Sequence, residues 1–205
     1  ILGGDCSGDI IDVGEHVEQL SVGDRVVVNP RLSCNMCSEC ISGRDDLCSR
    51  STFMGSAVDG SYAEVVSVPA VNAHRISQDV TYDQAAALPT TFLPVWNMLV
   101  RRAQLKPWET VLVLSASAGV GTAAIQVAKR AIGARVIATT STSQKVTQAQ
   151  EWGADEVINY NEKDISERVK DLTHGDGVGL LSTSDAADEG LGVVPGGRGL
   201  IKNTS

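Results

Sequence analysis

Residues 111–121 read Val111-Leu-Val-Leu-Ser-Ala-Ser-Ala-Gly-Val-Gly121, and this stretch decides the fold class of the chain. Its first four residues form a short apolar run, which favours a strand that is buried on both faces. The small residues that follow predict a tight turn, and an apolar stripe at helical spacing comes next. The stripe consists of Ala124, Val127, Ala128 and Ala131. The stretch therefore predicts a strand, a turn and an amphipathic helix in succession.

The same alternation continues towards the C-terminus. Strand patterns occupy residues 135–140 and 156–160, and helical patterns occupy residues 143–152 and 164–173. Strands that alternate with helices favour a parallel sheet with helices on both faces. We therefore predict the α/β class, a Rossmann-type doubly wound sheet, for a domain over residues 86–205.

The upstream residues have a different pattern. Residues 25–28 and 62–68 follow glycine-containing turns and predict strands. The polar, cysteine-bearing residues 29–51 between them predict a long loop, which is uncommon unless something such as a metal holds it together. We predict a β-rich domain over residues 1–85, with a metal lobe at residues 29–51.

Four of the five cysteines lie within fifteen positions, as Cys34-Asn-Met-Cys37-Ser-Glu-Cys40 and then Cys48. Four thiolates that converge on one point suit tetrahedral zinc, and a site with four sulfur ligands leaves no open position for a substrate. The spacing therefore predicts a structural Zn²⁺ on these four residues. An iron–sulfur centre and a redox disulfide remain alternatives.

The turn after the first predicted α/β strand carries the candidate cofactor site. A full dinucleotide fingerprint has three spaced glycines; Ala116 and Ala118 replace two of them, and the third is kept. Because the turn leads into a helix N-terminus, its backbone N–H groups can approach a pyrophosphate. An ordinary turn without a ligand is the alternative. The predicted pyrophosphate-binding residues are Ser117, Ala118, Gly119, Val120 and Gly121.

The end of the second α/β strand favours NADP(H) over NAD(H). NAD sites usually place Asp or Glu there to bind the ribose 2′-OH, yet residues 138–150 contain no acidic residue. Thr140, Ser141 and Lys145 offer two hydroxyls and a cation, which suit a 2′-phosphate better. The alternative is a solvated helix start with Ser143 as its N-cap.

The chain has 205 residues and a formal net charge of −8, a balance that argues against nucleic acid as a partner. No apolar run approaches the roughly 20 residues of a membrane helix, and no signal-peptide pattern opens the chain. We expect a cytoplasmic protein without a membrane partner. A start at Ile1 without Met and an end at Ser205 fit a partial sequence or a truncated variant.

Taken together, these segments resemble the medium-chain dehydrogenase/reductase superfamily, which contains zinc-type alcohol dehydrogenases and quinone-oxidoreductase-like proteins. The resemblance implies that the β-rich part is a GroES-like domain with the structural zinc lobe, and that the protein is a dimer or a tetramer. It also implies that Lys145 and Tyr160 contact the 2′-phosphate end of NADPH. For Tyr160, packing of a strand-end aromatic ring on the sheet is the alternative. The motifs that carry it are the cysteine lobe, Val22-Gly-Asp-Arg-Val26, Gly60-Ser-Tyr-Ala-Glu64, Ala87-Leu-Pro89, Ala118-Gly-Val-Gly121, Gly153-Ala-Asp-Glu-Val-Ile-Asn-Tyr160 and Pro195-Gly-Gly-Arg198.

Two departures from this family concern its catalytic zinc. Gly3-Gly4-Asp5 stands where zinc-dependent members have Gly-His-Glu, and Thr90 stands near the position of a later cysteine ligand. A Lewis-acid zinc cannot be assembled from these positions. The catalytic side chains remain unassigned, because none of the histidines has a cysteine or carboxylate at ligand spacing; they are His16, His74 and His174.

The sequence therefore predicts an NADP-dependent oxidoreductase that transfers hydride to a small molecule, namely a quinone, an enone or an aldehyde, without catalytic zinc. A zinc-dependent alcohol dehydrogenase is one alternative. A dehydrogenase fold kept as a non-catalytic binding or structural protein is the other.

Overall fold

The computed structural model describes residues 1–181 and 193–194 and divides the chain into two compact units. The first unit is Ile1–Thr90 and the second is Thr91–Ser205, so the contacts divide the chain at residue 90 where the sequence pattern suggested residue 85. The turn predicted at residues 195–198 lies outside the described residues. Among the helices that are described, none combines the length and apolarity needed to cross a bilayer.

The first unit is built on a small antiparallel sheet with the strand order β1-β2-β5, and β3 pairs with β4 in a separate two-stranded ribbon. In the sheet, Val27 of the central strand lies opposite Ser7 on one side and His74 on the other. The strands are β1 (Cys6–Asp9), β2 (Arg25–Val28), β3 (Arg31–Leu32), β4 (Thr52–Phe53) and β5 (Ala73–Arg75). The helices are α1 (Ser38–Ile41) and α2 (Tyr82–Ala86).

The strand predicted at residues 62–68 is wrong, because the backbone there is irregular. Residues 63–68 line a groove of about 790 Å³ together with residues of β1. Within the described residues, no strand pairs with this segment.

The second unit contains the predicted doubly wound sheet, with the strand order β10-β9-β6-β7-β8. Strands β6 to β9 run parallel, and only the short β10 is antiparallel. The strands are β6 (Thr110–Val113), β7 (Arg135–Thr140), β8 (Glu156–Asn159), β9 (Gly179–Leu181) and β10 (Val193–Val194). The helices are α3 (Pro89–Trp96), which begins at the end of the first unit, α4 (Gly119–Gln126), α5 (Ser143–Trp152) and α6 (Ile165–Leu172). π-Helical segments at Asn97–Arg102 and Val127–Ile132 continue α3 and α4.

Alternate residues of β6 point into two separate cores, as a strand covered on both faces requires. Val111 and Val113 join the larger core with α4, while Leu112 joins the smaller core with Val169 of α6. All three β6 side chains are 2% exposed or less. This two-sided burial is the physical reason why the strand consists of consecutive apolar residues, and it confirms the predicted α/β class.

The strand order places the candidate cofactor residues at one edge of this sheet. The chain runs outward from β6 to β7 and β8, and then returns to the other side of β6 as β9. Such a reversal leaves a crevice at the carboxyl ends of the strands, where ligands of open α/β sheets bind. The loop after β6 and the ends of β7 and β8 all lie at that edge.

Asp155 joins the start of β7 to the helical segment that precedes it. One carboxylate oxygen lies 2.6 Å from Lys129 Nζ, and the other accepts the backbone N–H of Val136 at 2.8 Å. Burial opposes ionisation of Asp155, but the hydrogen bonds from Lys129 and Val136 prevail and hold its pKa below the usual value. The carboxylate therefore stabilises the folded second unit in its charged form.

Asp155→Ala is expected to destabilise the second unit by about 1–3 kcal/mol, because the Val136 N–H loses its acceptor. The pKa of Asp155 is lower in the folded than in the unfolded state. Its stabilising contribution is therefore complete when the pH is above the pKa of the unfolded state, about 3.9, and is lost as the pH falls through the pKa of the folded state. Urea unfolding at neutral and acid pH measures the difference. The exposed Asp171→Ala is the control, and an equal loss in both variants would contradict this role of Asp155.

Candidate functional site

Residues 29–51 form a closed lobe because side chains from outside and inside the loop hold its ends together. The Asn72 side-chain amide donates to the carbonyl oxygens of Asn29 and Arg31, both at 2.8 Å. The Arg31 guanidinium in turn donates to the Asp46 carbonyl oxygen at 2.8 Å and to Ser51 Oγ at 3.0 Å. These bonds satisfy loop backbone groups that a long loop would otherwise leave to water.

The lobe brings the four predicted cysteine ligands together. Their Sγ atoms all lie within 4.8 Å of one another. The Sγ of Cys40 lies 3.5 Å from that of Cys37 and 3.8 Å from that of Cys34, and the Cys37 and Cys48 sulfurs are 3.9 Å apart. Four sulfurs at about 2.3 Å from a central ion would stand about 3.8 Å apart, so the cluster fits tetrahedral zinc.

Backbone donors around the sulfurs favour thiolates at the two ends of the motif. The Met36 N–H donates to Cys34 Sγ and lowers the pKa of this thiol to about 6. The backbone N–H of Cys34 similarly lowers the pKa of Cys48. Burial, together with the neighbouring thiols, raises the pKa of Cys40 to about 12. A divalent cation would relieve this mismatch, since it stabilises all four sulfurs as thiolates.

The turn after β6 has the geometry of a phosphate-binding turn. Ser115 adopts a left-handed backbone conformation (φ 57°), and Ala118 is the N-cap of α4. The N-cap forms no side-chain hydrogen bond, so the first N–H groups of the helix, from Gly119 to Gly121, have no capping side chain. Ser117 and Ala118 are exposed, while Gly121 is buried. This arrangement leaves backbone donors available to an anion.

Gly121 is required by its contact with the preceding loop. A Cβ atom at this position would overlap the carbonyl oxygen of Ser115 and lie 3.2 Å from the Cα atom of Ala116. The helix can approach the turn this closely only with glycine here. The Gly that remains from the three-glycine fingerprint therefore has a steric function in this chain.

The residues predicted to bind the 2′-phosphate end lie close together at the ends of β7 and β8. The backbone N–H of Tyr160 donates to the Thr140 carbonyl oxygen at 3.0 Å, which places the two strand ends side by side. The Asn161 amide donates to the Ser141 carbonyl oxygen at 2.8 Å. Tyr160 is 46% exposed, so its ring is free to contact a ligand.

Lys145 lies in the first turn of α5, next to these strand ends. Its backbone N–H donates to Thr142 Oγ1 at 3.4 Å, which makes Thr142, and not the predicted Ser143, the N-cap of the helix. Among the ion pairs of the described residues, none includes the Lys145 ammonium group. The helix N-terminus and this cation both favour a negatively charged ligand.

Thr140 has a feature that sequence patterns do not reveal. Its Oγ1 atom is buried and forms no hydrogen bond with any described residue. An unpaired buried hydroxyl costs about 1–3 kcal/mol. The atom lies at the end of β7, two residues before the N-cap of α5, and it is not exposed to solvent in this structure.

The two positions at which the family's catalytic zinc ligands are missing carry other contacts. A Cβ atom at Gly4 would lie 3.0 Å from the Phe53 ring, so a larger side chain there requires the ring to move. The Thr90 hydroxyl donates to the carboxylate of Asp5. Among the described residues, the four cysteines form the only group of three or more metal-ligating side chains.

Comparison with known proteins matches both units separately. The family described as "Alcohol dehydrogenase GroES-like domain" matches residues 1–78, and the family described as "Zinc-binding dehydrogenase" matches residues 119–184. The NAD-dependent alcohol dehydrogenase of Saccharolobus solfataricus is 34% identical over 194 residues, covering 95% of this chain and 56% of that protein. The chain thus spans about half the length of the curated relatives it matches.

Solved structures give the same result. The crystal structure of an NAD-dependent alcohol dehydrogenase is 41% identical with a TM-score of 0.86, and the match covers 91% of this chain and 55% of that one. A quinone oxidoreductase of Pseudomonas syringae pv. Tomato DC3000 is 34% identical with a TM-score of 0.65, covering 85% and 46%. With sequence and structure in agreement over both units, the chain belongs to the medium-chain dehydrogenase/reductase superfamily.

Proposed function

We propose that this chain is part of an oxidoreductase that uses NADP(H) and transfers hydride to a quinone, an enone or an aldehyde, without a catalytic zinc. The observation that carries the proposal is the composition of the β7 end, where Lys145 and two hydroxyl residues stand in place of an acidic residue. Several relatives are named as NAD-dependent enzymes, so the cofactor preference is the part of the proposal most open to test.

The residues at the sheet edge have separate tasks in this proposal. The N–H groups of Gly119, Val120 and Gly121 hold the pyrophosphate, because the α4 N-terminus offers them uncapped. Lys145, with Thr140 and Ser141, holds the 2′-phosphate, and Tyr160 covers the adjacent surface. The bound nicotinamide supplies the hydride. The residues of this chain bind and orient the cofactor.

The absence of a catalytic zinc site from these positions supports a double bond or quinone as the acceptor. Gly4 has no ligand atom, and the Thr90 hydroxyl is engaged with Asp5. An activated double bond or a quinone accepts hydride without the carbonyl polarisation that a Lewis acid provides. This reasoning also leads us to propose a single zinc ion per chain, held by the cysteine lobe for stability. A dimer or tetramer acting in the cytoplasm completes the proposal.

Lys145→Ala is expected to weaken NADPH binding about tenfold while leaving NADH binding nearly unchanged, because one charge-assisted contact to the 2′-phosphate is lost. Fluorescence titration of the zinc-loaded chain with NADPH and NADH side by side measures both affinities. Lys170→Ala, which removes an exposed lysine from α6, is the matched control. Equal loss for both cofactors, or tighter binding of NADH by the unaltered chain, would contradict the NADP assignment.

A zinc-dependent alcohol dehydrogenase is the second candidate, because relatives that match both units are named NAD-dependent alcohol dehydrogenases. It predicts a second zinc ion per chain, NADH preference and alcohol oxidation. Metal analysis together with turnover of a quinone panel and an alcohol panel separates the two enzymes. Cofactor binding without turnover of either panel would favour a non-catalytic protein with a dehydrogenase fold.

A further inference from the structure

We propose that Arg50 is a positioning residue of the cysteine cluster, which holds the Cys34 sulfur in place and lowers its reactivity when the metal is bound. This inference rests on the structural zinc proposed above. Zinc is expected to leave the site more slowly, and the Cys34 thiolate to react more slowly with electrophiles, because Arg50 is present.

Arg50 contacts both ends of the cysteine motif. Its Nη2 atom donates to Cys34 Sγ at 3.2 Å, and its backbone N–H donates to Cys48 Sγ. Because Arg50 follows Cys48 by two residues, the last ligand fixes its backbone and the guanidinium then reaches the first ligand. Arg50 thus connects the two ligands that are farthest apart in sequence.

The other arginines of the lobe have different partners. Arg44 forms an ion pair with Glu39 at 2.7 Å, and the Arg31 guanidinium donates to a carbonyl and a hydroxyl oxygen. Within the described residues, Arg50 is the only arginine that donates to a sulfur of the cluster from its side chain. The contact is therefore specific to one position and not a general consequence of basic residues in the lobe.

The charge of the loaded site explains what this contact does. Four thiolates around Zn²⁺ carry a net charge of about −2, and a guanidinium at hydrogen-bond distance offsets part of it. A hydrogen bond to a thiolate draws electron density from the sulfur, so the sulfur becomes less nucleophilic. Loss of a residue that hydrogen-bonds to a metal ligand typically lowers metal affinity by about 10–100-fold. Because Arg50 is exposed, we expect an effect at the lower end of this range.

The test compares Arg50→Gln and Arg50→Lys with Arg44→Gln, which removes the same charge from the same lobe without touching a sulfur. Each variant of the chain is loaded with zinc, and its rate of zinc transfer to a chelator is measured at neutral pH. Alkylation by iodoacetamide is then followed by peptide mass spectrometry, so that the rate at each cysteine is known separately. Circular dichroism and the charge-transfer bands of the Co²⁺-loaded protein report whether the cluster still forms.

Arg50→Gln is expected to release zinc about tenfold faster and to make Cys34 the cysteine that gains most in alkylation rate. Arg50→Lys keeps the positive charge and a donor, so its zinc release should be slower than that of Arg50→Gln. The zinc-release rate of Arg44→Gln should stay within about twofold of that of the unaltered chain. Should Arg50→Gln fail to bind zinc, the alkylation rate of Cys34 in Arg50→Lys is compared with that in the unaltered chain instead.

Two results would overturn the inference. One is equal zinc release from Arg50→Gln and Arg44→Gln, and the other is an equal gain in alkylation at all four cysteines, which would indicate general opening of the lobe. If the unaltered chain holds no zinc after loading, the zinc proposal itself fails, and metal analysis distinguishes that failure before any variant is compared.

Discussion

Replacing Cys48 by serine is expected to abolish stoichiometric zinc binding and to unfold the lobe of residues 29–51. Cys48 is the most buried of the four cysteines, at 4% exposed, and it closes the loop that the other three begin. Structural zinc supplies about 10–16 kcal/mol of apparent binding free energy in small metal domains. The lobe contains only short helical turns and one two-residue strand, so little else can replace that contribution.

Metal analysis of the purified variant and limited proteolysis of the lobe measure this effect. The control is Cys6→Ser, because Cys6 lies in β1 outside the cluster and offers the same change of sulfur to oxygen. We expect Cys6→Ser to keep one zinc per chain and the proteolysis pattern of the unaltered protein. Retention of one tightly bound zinc by Cys48→Ser would contradict a site of four sulfur ligands.

Gly121→Val is expected to abolish cofactor binding and to destabilise the second unit by about 3 kcal/mol or more. Any Cβ atom at this position overlaps the Ser115 carbonyl oxygen, and backbone cannot give way as a flexible side chain can. To relieve the overlap, α4 must move away from the turn. That movement displaces the helix N-terminus, whose N–H groups are the proposed pyrophosphate donors.

The measurement combines urea unfolding of the second unit with NADPH titration of the folded protein. Gly119→Ala is the matched control for the unfolding measurement, because its Cβ atom would meet only the Thr91 methyl group, at 3.1 Å. We expect a loss below about 1 kcal/mol for this control, since a methyl group can shift by a few tenths of an ångström. Similar losses from the two variants would show that Gly121 has no special steric role.

Local periodicity predicted the second unit well. The strand expected at residues 135–140 and the helix expected at residues 143–152 coincide with β7 and α5. Both faces of this sheet are covered, so its strands are continuous runs of apolar residues. The helices between the strands are recognised by apolar residues three or four positions apart. These hydrophobic patterns can be read from short segments, because the consecutive residues of each strand or helix determine which of its faces is buried.

The same reasoning failed at residues 62–68, where a valine-rich segment after a glycine-containing turn predicted a strand. A strand needs hydrogen-bond partners from a distant part of the chain, and sequence alternation does not state whether those partners are adjacent. Here no strand of the described residues pairs with the segment. The sequence also gave no reason to select Arg50 or Asp155, because their contacts join residues 16 and 26 positions apart.

The sequence alone determined the α/β class, the four-cysteine cluster and the small-residue turn that precedes α4, because each depends on spacing between residues that are close in the chain. Only the tertiary structure decided that Tyr160 lies beside Thr140, that Arg50 contacts the Cys34 sulfur, and that Thr140 Oγ1 is buried without a partner. These features arise where separate strands and loops meet, and their distances are set by how the elements pack.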